Sequence, residues 1–147
     1  MKLLDANVLL YAYDSDSEHH AACRTWLDQA FNSAEAIAIP WQTVLAFIRI
    51  ATNSRAVRQP LAGTEACAIV NTWLERPNAV LLEPGGRFWP ILQAQIRDAK
   101  VSGPLITDAA LAALALEHGA TLCSSDRDFR RFDGLSLLDP SRLDSSR

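Results

Sequence analysis

The sequence predicts an α/β fold in which a parallel sheet is covered by helices on both faces. Short apolar segments alternate along the chain with longer segments whose apolar residues recur at helical spacing. No two apolar segments are joined by the tight turn that a β-hairpin requires. The short segments are also apolar throughout, as strands buried on both faces are. These three observations favour a three-layer α/β/α sandwich with four to five strands.

The first half of the chain carries three predicted strands, at residues 3–4, 36–39 and 79–82. The first strand runs into Asp5 and is followed by a short helix at 7–13 and an amphipathic helix that ends near 31. The second strand stops at Pro40, and a helix then runs from Trp41 to about residue 53. Residues 55–63 are predicted as a loop, and Thr64 as the cap of the helix before the third strand.

The second half is predicted to hold two helices, a fourth strand and a short fifth strand. Pro90 suits the first turn of a helix that ends near residue 99, where Gly103-Pro104 follows. Thr107 is predicted to cap the most apolar helix, 108–118. This helix is apolar on nearly all sides and is therefore expected to be buried. The last strands are expected at 121–124 and 135–138. One domain is predicted over residues 1–140, with a polar tail at 141–147.

Bulk composition narrows the class of protein. A chain of 147 residues is long enough to bury a core without crosslinks. The three cysteines are isolated from one another, and no apolar segment has the form of a signal peptide. The longest apolar run, at 109–116, is shorter than the roughly 20 residues that span a bilayer. We therefore expect a reduced, cytosolic protein without a membrane role.

The charge distribution leaves two interpretations open. The formal net charge of −3 argues against a polyanionic partner. However, no acidic residue lies between Glu35 and Glu65, whereas Arg49, Arg55 and Arg58 fall inside that gap. Arginine is also the basic side chain whose planar fork suits phosphate. The segment is either a solvated helix face with a loop or a surface that faces phosphate.

Four aspartates are predicted to meet at one edge of the sheet. Asp5 follows the first strand, Asp126 and Asp128 follow the fourth, and Asp108 lies in the first turn of the helix that leads to the fourth strand. The carboxyl ends of parallel strands share one edge, which is where α/β proteins bind ligands. Carboxylates that close repel one another unless cations neutralise them. Hard oxygen ligands of this kind suit Mg²⁺ or Mn²⁺.

Each acid also has a plainer explanation. Asp108 is favoured in a first helical turn by the helix dipole, and Asp126 or Asp128 can cap the short helix that follows. Asp5 is the acid that capping explains least well. Ser124 and Thr107 each stand beside an acid, where a hydroxyl either orients a carboxylate or forms an ordinary cap or turn.

Three motifs carry a resemblance to a known family. They are Asp5-Ala-Asn7, Ile106-Thr-Asp108 with the alanine-rich helix and His118-Gly-Ala behind it, and Ser124-Ser-Asp126-Arg-Asp128-Phe. In this order and spacing they resemble the PIN-domain nucleases, and within them the VapC toxins of bacterial toxin–antitoxin pairs. The resemblance covers almost the whole chain.

The resemblance implies a PIN fold with strand order 3-2-1-4-5 and an Mg²⁺- or Mn²⁺-dependent endoribonuclease. It also implies an RNA substrate, inhibition by a VapB-type antitoxin, and a homodimer. Carried over by position, Asp5, Asp108 and Asp126 are the expected catalytic metal ligands, and Asp128 assists them. Among the arginines, Arg49, Arg55 and Arg127 are the weaker candidates for holding the RNA backbone, and for each the interpretation as a surface or structural arginine is favoured over a specific contact.

One departure from the family pattern keeps a second function open. The family usually carries a glutamate in the helix after the second strand, and Phe47 stands nearest to that place. Without this acid the number of bound metals is undetermined. The alternative function is a PIN-like module that binds RNA or an antitoxin without cleaving.

Other chemistries are disfavoured by missing residues. A haloacid-dehalogenase-like phosphatase needs an aspartate where Asn7 stands, and a receiver domain needs a late lysine, whereas the lysines are Lys2 and Lys100. The spacing of His19, His20 and Cys23 supplies too few ligands for a structural zinc site. The four tryptophans lie on apolar helix faces and are interpreted mostly as core or interface residues.

Overall fold

Five parallel strands form the centre of the molecule, in the order β3-β2-β1-β4-β5. A computed structural model describes residues 1–143. The strands are β1 (Lys2–Leu4), β2 (Ile37–Pro40), β3 (Ala79–Leu82), β4 (Thr121–Cys123) and β5 (Leu137–Leu138). The predicted α/β/α sandwich, its parallel sheet and the strand order are confirmed.

Within residues 1–143, six α-helices cover the two faces of the sheet. They are α1 (Ala6–Tyr13), α2 (His20–Phe31), α3 (Trp41–Ala51), α4 (Gly63–Leu74), α5 (Phe88–Ala99) and α6 (Leu105–His118). Helices α1 to α4 pack on one face, and α5 and α6 on the other. Two 3-10 helices, Arg127–Arg131 and Pro140–Arg142, flank β5.

The alternation of side chains along β1 joins the two cores. Leu3 packs with α5 and α6, Leu4 packs with α1 to α4, and both are fully buried. Successive strand residues point to opposite faces, so a strand in the middle of the sheet must be apolar at every position. The same requirement explains the buried run of β2. Lys2 and Thr121 stand at the amino ends of β1 and β4, and at the carboxyl ends the first polar side chains follow the strands.

Two helix starts differ from prediction. Helix α6 begins at Leu105 rather than 108, because Pro104 has the backbone angles of a helix entry. Thr107 is thus not the cap, and its hydroxyl donates to the Pro104 carbonyl inside the first turn at 2.9 Å. Helix α4 likewise begins before Thr64, with the Glu65 carboxylate accepting from the Ala62 N–H.

The predicted tail begins within folded structure. The 3-10 helix at Pro140–Arg142 contacts α2, and the Asp139 carboxylate accepts from both the backbone N–H and the hydroxyl of Ser141. Residues 144–147 of that tail lie outside the described residues. The division of the chain at residue 140 stays a prediction.

Two of the four tryptophans are not core residues. Trp41 and Trp89 are 49% and 60% exposed, whereas Trp26 and Trp73 are partly buried against the core of α1 to α4. All three cysteines are free. None of the helices within residues 1–143 is long and apolar enough to cross a bilayer.

Substitution of Phe47 tests how much the packing of α3 contributes to stability. Its ring is fully buried and packs edge-on against Trp73, with 4.7 Å between the ring centroids. We expect Phe47→Ala to lower the free energy of unfolding by roughly 3–5 kcal/mol, because it removes a large buried ring and leaves a cavity. Urea denaturation measures this. Phe47→Leu is the matched control and should lose clearly less, and equal losses for the two variants would contradict this packing.

Candidate metal centre

The site begins where β1 and β4 end side by side. Leu4 pairs with Cys123, and the N–H of Asp5 donates to the Cys123 carbonyl at 3.0 Å. The next residues along the two strands, Asp5 and Ser124, are therefore neighbours although 119 positions separate them. Strand pairing alone thus joins the two ends of the sequence at the carboxyl edge of the sheet.

Ser124 is the hydrogen-bond centre of this edge. Its hydroxyl donates to Asp5 Oδ2 at 2.7 Å and accepts from Asn7 Nδ2 at 3.2 Å and from the Asp126 N–H at 3.0 Å. The side chain is buried, so these bonds are made away from bulk water. Ser124 thereby fixes the position of one predicted ligand and the backbone of another. Asn7 completes the network by accepting from the Ser125 N–H at 3.4 Å.

Asp108, Asp126 and Asp128 form a group of three carboxylates. Each offers one oxygen, and these oxygens lie within 4.8 Å of one another. Oxygens on opposite sides of an octahedral Mg²⁺-like ion stand about 4.2 Å apart. A small inward movement would let all three contact one cation, and carboxylates are the donors that hard divalent ions prefer. The residues present thus fit a divalent metal.

Asp5 adjoins this group without belonging to it. The expectation that capping explains Asp5 least well is wrong, because Asp5 is the N-cap of α1 and its Oδ1 accepts from the Ala6 N–H at 2.8 Å. Its Oδ2 accepts from Ser124. Burial raises the pKa of Asp5, the two hydrogen bonds oppose that effect, and the charge of Asp126 adds to it. The Asp5 carboxylate is therefore close enough to the acid group for the charge of Asp126 to raise its pKa. Its orientation is set by the hydrogen bonds from the Ala6 N–H and the Ser124 hydroxyl.

Asp108 has the most perturbed environment of the four acids. Burial, followed by the charges of Asp126, Asp5 and Asp128, raises its pKa to about 6. Capping accounts for Asp5 and for Asp126, whose carboxylate accepts from the Asp128 N–H. In residues 1–143 the Asp108 carboxylate has no hydrogen bond, so capping does not account for it.

Two neutral side chains of α3 connect this helix to the carboxyl edge of the sheet. Gln42 Nε2 donates to the Thr107 carbonyl at 2.7 Å, which ties α3 to the first turn of α6. The buried Thr43 hydroxyl donates to the Leu4 carbonyl at 2.7 Å, directly before Asp5. The place expected for the family glutamate is filled by Phe47, which points into the core. Helix α3 thus supports the edge but adds no carboxylate through that position.

Arg131 is a residue of this site that sequence reasoning missed. Its guanidinium donates to the Asp128 carbonyl at 3.1 Å and lies 3.3 Å from Asp128 Oδ1. Its positive charge also lowers the pKa of Asp108 against the effect of the three acids. The spacing of three residues between Asp128 and Arg131 could have indicated this contact, because side chains at i and i+3 of a 3-10 helix lie on the same side.

Of the other sequence candidates, Arg127 lies between Asp126 and Asp128 at the start of the 3-10 helix, and the rest lie on other elements. Arg49 and Arg55 are exposed on α3 and the loop behind it. His20 Nδ1 contacts the Tyr11 carbonyl, and Cys23 is buried in the core of α1 to α4. In the part of the chain that the structure describes, Asp108, Asp126 and Asp128 are the only three such side chains grouped closely enough for a metal.

Comparison with known proteins places the fold and the motifs in a family. The PIN domain family matches residues 2–135. The chain belongs to the PIN domain family. It is 42% identical to Ribonuclease VapC37 of Mycobacterium tuberculosis, over 97% of this chain and 99% of that protein. The resemblance to VapC proteins is thereby confirmed.

Solved structures show the same fold at low sequence identity. VapBC-1 from nontypeable Haemophilus influenzae aligns with a TM-score of 0.70 and 17% identity, covering 96% of this PIN domain and 98% of that chain. A toxin–antitoxin complex from Klebsiella pneumoniae aligns with a TM-score of 0.63 and 16% identity, covering 95% and 98%. The fold is thus shared with proteins whose sequences are only 16–17% identical to this chain.

The raised pKa of Asp108 makes a prediction about stability. An acid whose folded-state pKa lies near 6 instead of 3.8 is protonated more in the folded than in the unfolded chain, so metal-free stability falls as pH rises from about 4 to 6. Asp108→Asn removes this penalty. Above pH 6, in EDTA, we expect the variant to be more stable by about 1 kcal/mol, since solvent screens a partly exposed group.

Thermal unfolding without a divalent cation measures the metal-free stability of each variant, and unfolding with the cation measures how much metal binding stabilises it. The cation should stabilise the wild type strongly and Asp108→Asn weakly. Asp98→Asn, an exposed acid on α5 paired with Arg97, is the matched control and should respond to the cation as the wild type does. A metal-free Asp108→Asn variant less stable than the wild type at pH 7.5 would contradict the electrostatic interpretation.

Proposed function

We propose that this PIN domain is a metal-dependent endoribonuclease, the toxin of a VapBC-type pair, that hydrolyses RNA phosphodiesters. The observation that carries the proposal is the convergence of Asp108, Asp126 and Asp128 within 4.8 Å beside the hydrogen-bonded Asp5. The ribonuclease name of the VapC37 relative supports the activity. Cellular RNA as a substrate also agrees with the cytosolic location predicted from the sequence.

The proposed cofactor is Mg²⁺ or Mn²⁺, held by Asp108, Asp126 and Asp128 with Asp5 beside them. Such an ion lowers the pKa of a bound water and stabilises charge on an attacked phosphate. Asp5, Asp108 and Asp126 are the proposed catalytic residues, and Ser124 keeps Asp5 and Asp126 in register. The raised pKa of Asp108 means that protons compete with the metal below about pH 6, so activity should decline there.

The proposed protein partner is a VapB-type antitoxin. Support comes from the toxin–antitoxin complex of Klebsiella pneumoniae, whose fold this chain shares. We expect an equimolar amount of the cognate antitoxin to suppress RNA cleavage. An unrelated antitoxin of similar size and charge serves as the control.

A homodimer is also proposed. Trp41 and Leu45 stand one turn apart on α3, and both side chains are strongly exposed, at 49% and 64%. A second copy of the chain would remove this apolar surface from water. Sedimentation should give twice the monomer mass for the wild type and a shift toward monomer for Leu45→Glu. A wild-type protein that stays monomeric at high concentration would contradict the dimer.

The activity is tested by RNA cleavage with purified, antitoxin-free protein. We expect Mg²⁺ or Mn²⁺ to support cleavage of total RNA, and EDTA to abolish it. Asp126→Asn should reduce the rate at least a hundredfold, because it removes a charge that the cation needs. Asp98→Asn, on the outer surface of α5, should cleave at the wild-type rate.

The alternative is a binding module that holds RNA or antitoxin without turnover, which the apolar Phe47 in place of the family glutamate favours. A folded wild-type protein that binds RNA but shows no cleavage in either metal would support this alternative and overturn the nuclease.

A further inference from the structure

A small pocket adjoins the acid group on its β5 side. Its volume is about 140 Å³. One wall consists of Ser124, Ser125 and Asp126, and Arg127 and Arg130 line it from the 3-10 helix. Two leucines of β5 and Asp139 complete the lining. Because Ser124 and Asp126 also belong to the candidate metal centre, the pocket and that centre share a wall.

The two arginines of the pocket face it together. They are three residues apart in a 3-10 helix, where side chains at i and i+3 eclipse one another. Both are exposed, and within residues 1–143 neither guanidinium has an ion pair or a hydrogen bond. Arg131 of the same helix differs, because its guanidinium is bound to Asp128. The pocket thus presents two cationic forks with free donors.

The one further acid in the pocket is already neutralised by other groups. Asp139 Oδ1 accepts from the N–H and the hydroxyl of Ser141, and Asp139 Oδ2 lies 3.2 Å from Arg142 Nε. It therefore does not compete for Arg127 or Arg130. With Asp139 paired to Arg142, the charges that remain in the lining are those of Arg127 and Arg130 against that of Asp126, an excess of one positive charge.

We propose that this pocket binds the RNA phosphate next to the one attacked at the acid group. The inference rests on the proposed nuclease function. Guanidinium groups suit phosphate because they donate paired hydrogen bonds in one plane. The volume suits a phosphate group, since pockets that enclose a larger organic ligand measure about 300 Å³ or more. The shared wall at Asp126 places the bound phosphate one step along the strand from the reacting one.

This subsite would offset the repulsion between the acid group and the RNA backbone. The carboxylates that bind a cation repel the polyanionic substrate, and the net charge of the chain is −3. The neighbouring pair Arg127 and Arg130 attracts the RNA strand beside the acid group, where repulsion is greatest. It also positions the backbone without reading bases, because phosphate contacts carry no sequence information.

The test uses a short single-stranded RNA in which one phosphate at a time is replaced by an uncharged methylphosphonate. We compare wild type with Arg127→Gln/Arg130→Gln, and with Arg24→Gln/Arg97→Gln, which removes the same charge from α2 and α5. The pocket variant should show a KM raised about tenfold, the size expected for losing one charge-assisted phosphate contact, with kcat nearly unchanged. The control pair should match the wild type.

Position and salt dependence identify the contact. In the wild type, methylphosphonate next to the cleaved position should raise KM as much as the double substitution does, and it should cause no further loss in the pocket variant. RNA binding by fluorescence anisotropy in EDTA should lose about 0.7 from its salt slope, the value for one neutralised phosphate of a single strand. Arg127→Lys/Arg130→Lys should restore part of the affinity while keeping the charge.

The outcomes separate this subsite from the nuclease proposal. If the wild type cleaves and the pocket variant has the KM and salt slope of the control pair, the subsite is wrong and the nuclease stands. If no protein cleaves but anisotropy shows an arginine-dependent loss at a single phosphate, the pocket binds an RNA phosphate, and both the nuclease and the place of that phosphate beside a cleaved one are wrong. Equal loss at every methylphosphonate position would also overturn the subsite.

Discussion

Pairing of β1 with β4 is the constraint on which the site depends, because it brings Asp5 to the segment that carries Asp126 and Asp128. Both strands end in two buried residues without charge, so the first polar groups beyond them emerge together at the carboxyl edge. Helix α6 then adds Asp108 from the face it covers. Folding therefore assembles negative charges that repel one another.

The chain offsets that repulsion only in part. Ser124 donates to Asp5, Arg131 contacts Asp128, and the pKa of Asp108 is raised to about 6 so that a proton is retained longer. None of these groups neutralises all the carboxylates at neutral pH. A divalent cation would, and its binding energy would then add to stability. Electrostatic strain in the metal-free chain and affinity for metal are thus two aspects of one arrangement.

Much of this arrangement could be predicted from the residues. Asp5 after an apolar strand and Asp126 after another placed both at one edge, because parallel strands share their carboxyl edge. The strand order came from the family resemblance, since local periodicity does not encode which strands pair. The predicted start of α6 was wrong, because the helix begins after Pro104 and not after Thr107, in spite of the capping preference of threonine. Arg127 was already a candidate for holding the RNA backbone. Arg130 and Arg131 were missed, because the sequence does not specify the 3-10 helix that sets the direction in which their side chains point.

The most direct test of the central claim is anomalous diffraction from crystals of the protein grown with Mn²⁺. The predicted result is an Mn²⁺ peak within about 2.5 Å of carboxylate oxygens from Asp108, Asp126 and Asp128, absent in crystals of Asp126→Asn. Well-ordered crystals at neutral pH with no manganese at these three carboxylates would contradict the claim that this edge of the sheet is a metal centre.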